Sequence, residues 1–310
     1  MGIHFPTEVN KVLHISKNGQ IYQLDSFWKM TQIYNKLISL GYKISEISHD
    51  IAQNVPKDFF LKFHTPEFVE SLFTGKNREF HIESCGVFWQ PILIPAMYNR
   101  ALAVNQALEN ILNGSKSEVV IADGGHHTTP NNAYGFGPIN PVGISIKNLS
   151  ESLKGKKIVI LDLDVHQGNG FSFIEHDNVR IYDIWAKNLE KWEVLDSNSN
   201  YFSFKVSDYS SWEDRYQNIL KEILDFKPDI LIYYAGVDVL DSDRMGGISG
   251  FTEEKLLTRE KSVFTFCREN NISTLLTLGG GYIDYKKDNI DFEREKLVNY
   301  HIQTIENSQV

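Results

Sequence analysis

The stretch Leu161-Asp162-Leu163-Asp164-Val165-His166-Gln167-Gly168-Asn169-Gly170 limits what this chain can fold into more than any other. Residues 157–163 carry Ile158, Val159, Ile160 and Leu161 in succession, the pattern of a strand buried on both faces of a parallel sheet. Side chains alternate along a strand, so Asp162, Asp164 and His166 leave its end on one side. Ligands of open α/β sheets gather at the carboxyl ends of strands, and an Asp-x-His pair there can grip a metal ion. A polar turn after a core strand is the plainer alternative.

The same pattern recurs along the chain. Strands are expected at 119–122, 179–184, 229–235 and 272–278, and the region 185–208 reads as loops. The first 25 residues carry no clear period. Helical spacing begins at Phe27, with Trp28, Ile33, Tyr34, Leu37 and Ile38 as its apolar positions and Gly41 as its stop. Thr65-Pro66 opens a short helix that turns Phe68, Val69 and Leu72 inward, beside a structural His64. Longer helices are expected over 91–112, 212–226, 252–268 and 292–305. Strands alternating with helices predict an α/β fold with a single central parallel β-sheet and helices on both faces. No linker or repeat divides residues 1–310, so one domain is expected.

Four of the strands end in chemistry. Asp123-Gly124-Gly125-His126-His127 follows the second run, Asp238 follows Gly236-Val237, and Gly279-Gly280-Gly281-Tyr282 follows the last. Asp164, His166 and Asp238 make a set of one histidine and two carboxylates, which leaves positions open for water and substrate as a catalytic zinc site requires. Asp238 alone would pass for a turn or cap residue. Net charge of −9 argues against a nucleic-acid groove and favours basic partners such as lysine peptides or polyamines. The two cysteines, Cys85 and Cys267, are too few for a disulfide framework. The N-terminus lacks a signal-peptide layout, and no apolar run nears the roughly 18 residues of a membrane span. The expectation is a soluble, cytoplasmic protein, with export by a route that reads other signals left open.

With these motifs in view, the chain resembles the zinc-dependent histone deacetylase family on the arginase-deacetylase fold, most closely its class IV branch and bacterial relatives. The resemblance runs from about Phe27 to Tyr282, through Gly-Gly-His-His, Asp-Leu-Asp-Val-His-Gln-Gly-Asn-Gly, Ala-Gly-Val-Asp, Asp-Arg-Met-Gly-Gly and Gly-Gly-Gly-Tyr. It implies zinc on Asp164, His166 and Asp238, His127 as proton carrier oriented by Asn169, His126 oriented by Asp162, and Tyr282 as oxyanion donor. It further implies Gly135, Phe136, Met245 and Gly280 as substrate-binding positions, with Trp185 or Trp192 as the wall opposite Phe136. A structural potassium ion is implied near Asp162, on carbonyls of Asp164 and His166, with Asp183 in place of a family serine.

The implied activity is hydrolysis of acylated lysine in proteins or peptides. An amidohydrolase of small acylated amines such as acetylpolyamines is the alternative, and a silent binding protein would not need the complete set. The early Pro and Arg motif of the eukaryotic enzymes is absent. Gly125 stands where relatives carry a bulky residue and Gly137 where they carry cysteine. Those two losses predict room beyond an acetyl methyl, a preference for longer acyl chains, and its reversal by Gly125→Leu.

Overall fold

Ten strands, nine α-helices and three short 3-10 helices make up the regular structure among the described residues of this computed structural model, which are all but 16–18, 23, 24, 50–54, 189–198, 285–287 and 310. In chain order the strands are β1 (Gly2–Pro6), β2 (His14–Ile15), β3 (Ile21–Tyr22), β4 (Ser45–Ile47), β5 (Ser117–Asp123), β6 (Ile158–Asp162), β7 (Val179–Trp185), β8 (Tyr201–Lys205), β9 (Ile230–Ala235) and β10 (Ser273–Leu278). The helices are α1 (Asp25–Ser39), α2 (Lys57–Phe60), α3 (Pro66–Thr74), α4 (Arg78–His81), α5 (Leu93–Leu112), α6 (Pro141–Asn148), α7 (Tyr209–Phe226), α8 (Glu253–Glu269) and α9 (Ile290–Asn307).

Eight strands form one parallel sheet in the order β4-β1-β5-β10-β9-β6-β7-β8, while β2 and β3 make a small antiparallel hairpin. The four strands expected to end in chemistry are therefore the four adjacent central ones, β5, β10, β9 and β6. Between β5 and β6 the chain crosses over the two positions later filled by β10 and β9, which opens a crevice at the strands' carboxyl ends. β6 and β9 are buried at every residue, as expected of strands covered on both faces.

Local chemistry explains the helix ends. Phe68 N–H donates to Thr65 Oγ1 at the start of α3, and Lys255 N–H donates to Thr252 Oγ1 at the start of α8, whose first turn holds Glu253 and Glu254. In α1 the buried stripe is Phe27, Met30, Ile33 and Leu37; of the expected positions Ile33 and Leu37 are buried, Trp28 and Tyr34 are half-buried, and Ile38 is exposed. His64 is structural: its Nε2 accepts from Asn140 N–H, and its ring stacks on Phe68.

Several elements add to the sequence reading, three of them at the sheet or the site. The region 185–208 contains the edge strand β8, and the first 25 residues contribute β1, an internal strand. Helix α6 was also unforeseen, although Asn140 caps it through Gly143 N–H and Pro141 stands in its first turn.

Candidate active site

Asp164, His166 and Asp238 converge. All three are buried, and one donor atom from each lies within 4.8 Å of the others. His166 Nδ1 is 3.2 Å from Asp164 Oδ1 and 3.2 Å from Asp238 Oδ2. Its Nε2 lies 3.2 Å from the carbonyl of Met245, so a hydrogen on Nε2 is satisfied there and Nδ1 is left to face the carboxylates. Gly280 N–H donates to Asp164 Oδ2 at 2.6 Å, and Val165 N–H donates to Asp238 Oδ1 at 3.1 Å. Asp238 Oδ2 is buried and faces His166 Nδ1. Gly280 permits this cradle, because a Cβ there would stand 2.0 Å from Asp238 Oδ2.

The electrostatics match the donor set. Burial works against a charged His166, yet Asp164 and Asp238 raise it well above the ordinary histidine range. Asp238 is raised by burial and by Asp164, with His166 opposing. Two buried carboxylates thus hold one proton-rich imidazole between them, the field that a divalent cation would satisfy instead.

The two adjacent histidines sit beside this group, their ring centroids 3.8 Å apart. His126 Nδ1 is 2.9 Å from Asp162 Oδ2, and His127 Nδ1 is 3.2 Å from Asn169 Oδ1. The different partners separate them. Burial opposes charge on His126, but Asp162 and Asp164 raise it to about 9. His127 is lowered well below the usual value by burial and by the neighbouring His126 and His166. The two rings thus differ, because two aspartates face His126 while burial and two neighbouring imidazoles act on His127.

A pocket of about 30 Å³ opens over these groups, lined by His126, His127, Gly135, Phe136, Asp164, His166, Met245, Gly280 and Tyr282 among others. Gly135, Phe136, Met245 and Gly280 therefore lie where the sequence reading put them. Trp185 does not. It is buried in β7, donating from Nε1 to Ser203 Oγ at 2.8 Å, and Trp192 lies outside the described residues.

Sequence reasoning passed over Lys29, Met30 and Tyr234, which also line the pocket together with Asp123 and Gly279. Lys29 reaches from α1 to donate to the Gly279 carbonyl at 2.7 Å, and Tyr234 stacks on His126 at 4.3 Å. Position offered a signal for both. Lys29 stands one helical turn before Ile33 on the inward side of α1, and Tyr234 is the penultimate residue of β9. Arg259 was missed as well. It is buried on α8, donating from Nη1 to Leu163 O at 3.0 Å and from Nη2 to Gly236 O at 2.7 Å, with Glu260 as its counter-ion. It thereby ties together the strand ends that carry Asp164 and Asp238.

The proposed room at Gly125 is not there. Its φ is +66°, and a Cβ would stand 2.1 Å from the Ile139 carbonyl oxygen, so a side chain would point into backbone rather than into the pocket. Gly137 does not line the pocket, and a Cβ on it would meet only ordinary contacts. Gly125→Leu would strain the loop instead of refilling a cavity.

Asp183 pairs in register with Asp162 across β7 and β6. Burial and Asp162 raise it well above the carboxylate range, while Tyr201 O–H and Gly168 N–H donate to its Oδ2. Its Oδ1 is buried without a hydrogen-bond partner. No helix among the described residues is long and apolar enough to cross a membrane.

A family profile for the histone deacetylase domain matches residues 24–290. Histone deacetylase 2 of Arabidopsis thaliana is 31% identical over 169 residues, covering 53% of this chain and 43% of that protein. An uncharacterized protein of Picosynechococcus sp. is 27% identical over 228 residues, 71% of this chain and 73% of its own length. This chain thus spans less than half of the Arabidopsis protein and about three quarters of the cyanobacterial one. Among solved structures, an acetylpolyamine aminohydrolase from Burkholderia pseudomallei superposes with a TM-score of 0.78 at 14% identity, over 100% of this chain and 99% of the other. The HDA15 HD domain gives 0.75 at 18% identity, over 99% and 88%. At such identities these two likenesses speak for the fold.

Proposed function

Because this chain belongs to the histone deacetylase domain family, we propose that it is a zinc-dependent amidohydrolase, a single catalytic unit that removes short acyl groups from lysine side chains of proteins or peptides. One observation carries the reading: of the buried group Asp164, His166 and Asp238, the first two line the same pocket as His126, His127 and Tyr282, with Asp238 directly behind them. Asp164, His166 and Asp238 would hold the zinc, with His166 binding through Nδ1. Bound there, the metal would polarise the acyl carbonyl and lower the pKa of a water.

The chain's own groups divide the remaining work. The environment of His127 favours the neutral ring, and with its Nδ1–H donating to Asn169 its Nε2 carries the lone pair that takes a proton from the attacking water. It returns a proton to the amine as the C–N bond breaks. His126 stays protonated on Asp162 and keeps a positive charge beside the developing oxyanion, to which Tyr282 donates its hydroxyl. Phe136 and Met245 flank the lysine stem. The unsatisfied Asp183 Oδ1 next to Asp162 supports the implied potassium site, where a monovalent cation would offset two buried carboxylates.

The lining argues for a short acyl group, since polar Lys29, Asp123 and Tyr234 share the pocket and offer a longer chain little apolar surface. Each methylene that found an apolar site would add about 0.8 kcal/mol, or roughly a fourfold gain in kcat/KM. Without such a site the gain is absent. In a panel of fluorogenic lysine peptides that differ only in acyl chain, kcat/KM is expected to be highest for acetyl and to fall as the chain lengthens. A maximum at eight or more carbons would overturn the short-acyl reading. Net charge of −9 also suits acetylated polyamines, and acetylspermidine run in the same assay separates the two substrate classes.

A further inference from the structure

Tyr282 owes its place to a loop, not to a strand. It follows Gly279-Gly280-Gly281 beyond the end of β10, and it lines two cavities, the active-site pocket and a second one that also touches Ser242, Asp243, Ile283 and Leu297. Hydrogen bonds hold the glycine run from several sides: Gly279 N–H donates to Ala235 O at 2.8 Å, Val237 N–H donates to Gly280 O at 2.9 Å, and Lys29 donates to Gly279 O at 2.7 Å.

One carboxylate links this loop to the metal-binding histidine. Asp243 Oδ2 accepts from Tyr282 N–H at 2.8 Å, and Asp243 Oδ1 accepts from Met245 N–H at 2.9 Å and from Gly246 N–H at 3.0 Å. The carbonyl of Met245 faces His166 Nε2 at 3.2 Å, the contact that leaves Nδ1 toward the metal-binding carboxylates. Other bonds fix the loop that bears Asp243: Asp243 N–H donates to Leu240 O at 2.8 Å, and Gly247 N–H donates to Asp238 O at 2.8 Å. A continuous path thus runs from Tyr282 through Asp243 and Met245 to His166, joining elements that lie far apart in the sequence.

We propose that Asp243 is a positioning residue, which sets the tyrosine's reach toward the substrate through one oxygen and the orientation of the metal-binding histidine through the other. The proposal rests on the functional reading above, in which Tyr282 donates to the oxyanion and His166 binds metal. Its chemistry is specific to a carboxylate, because three N–H donors face two oxygens and only an all-acceptor group satisfies them. An asparagine has the same shape but must turn its NH₂ toward one side. The oxygen with two donors outbids the oxygen with one, so Asp243→Asn keeps the Met245 arm and sets the NH₂ against Tyr282 N–H.

The test is a double-mutant cycle with Tyr282→Phe, read by kcat on an acetyl-lysine peptide and by zinc affinity in chelator competition. Asp243→Asn is expected to lower kcat by about 10- to 100-fold with KM and zinc affinity within about threefold of wild type. In the Tyr282→Phe background the same change should cost less than about threefold, because the hydroxyl it misplaces is already gone. Asp243→Ala loses both arms and should also weaken zinc binding by about 10- to 100-fold, an effect read without turnover. If the asparagine variant does not fold, Asp243→Glu, which keeps the acceptors but shifts them, enters the same cycle with the same expected non-additivity. Equal losses with and without the tyrosine hydroxyl, or a wild-type kcat in Asp243→Asn, would overturn the proposal. A wild-type protein inactive on every acylated amine would instead overturn the functional reading.

Discussion

Asp238→Ala is expected to lose zinc and with it nearly all hydrolysis, by at least about three orders of magnitude in kcat/KM. The carboxylate provides one of the three converging donors, and Asp164 and His166 alone make a poor site for a four-coordinate metal. The same substitution should not unfold the metal-free protein, and the sign follows from the direction of its shift. A carboxyl raised in the folded state, as Asp238 is by burial and by Asp164, costs no stability at low pH, where both folded and unfolded forms are protonated. The cost appears as pH rises through the unfolded value and persists above the folded one. Removing the group at neutral pH therefore relieves that cost, which offsets part of what is lost with the Val165 N–H and His166 contacts. Zinc should raise the thermal midpoint of the wild type and leave that of Asp238→Ala unmoved, as binding linkage requires. Turnover at the wild-type rate in this variant, or an equal zinc shift in both proteins, would contradict the assignment.

The second large effect belongs to proton transfer. His127→Ala and Tyr282→Phe should each lower kcat by roughly two to four orders of magnitude while zinc content stays at the wild-type level. His127 is assigned here because it combines a neutral partner, Asn169, with an environment that keeps the ring uncharged. His126, held on Asp162 and raised to about 9, suits a standing positive charge and not a base. Steady-state kinetics beside metal analysis separates the cases: a variant that loses rate and metal together has lost a ligand, and one that loses rate alone has lost a proton carrier or donor. Near-normal kcat in either variant would refute its role.

The centre of this site was legible because its logic is local. The β6 run and the Asp-x-Asp-x-His after it lie within ten residues, and strand alternation alone sends the three polar side chains one way. The same holds for His126 and His127 after β5, and for the capping residues Thr65 and Thr252. What stayed hidden depends on distant partners. β1 went unread because its Ile3 and Phe5 flank a buried His4, and His4 is tolerated in the core only through Glu118, 2.6 Å away on β5. No pattern within six residues can show that pairing. β8 is paired on one side only, by β7, so its residues never needed the continuous apolar run that marked the central strands.

The inner wall of the pocket was misread for a related reason. Sequence shows that Gly125 lacks a side chain, but not which way one would point, and the left-handed backbone there aims it at Ile139. Lys29 reaches its carbonyl partner 250 residues away, at Gly279. Arg259 likewise stabilises the site from beneath through contacts that no spacing rule predicts.

Titration of zinc into chelator-treated wild-type protein, with hydrolysis of an acetyl-lysine peptide as the readout, tests the central claim most directly. Activity should be absent without metal, rise with each addition and reach its plateau at one zinc per chain. Full activity in the metal-free protein, or a plateau reached only at two metals per chain, would contradict it.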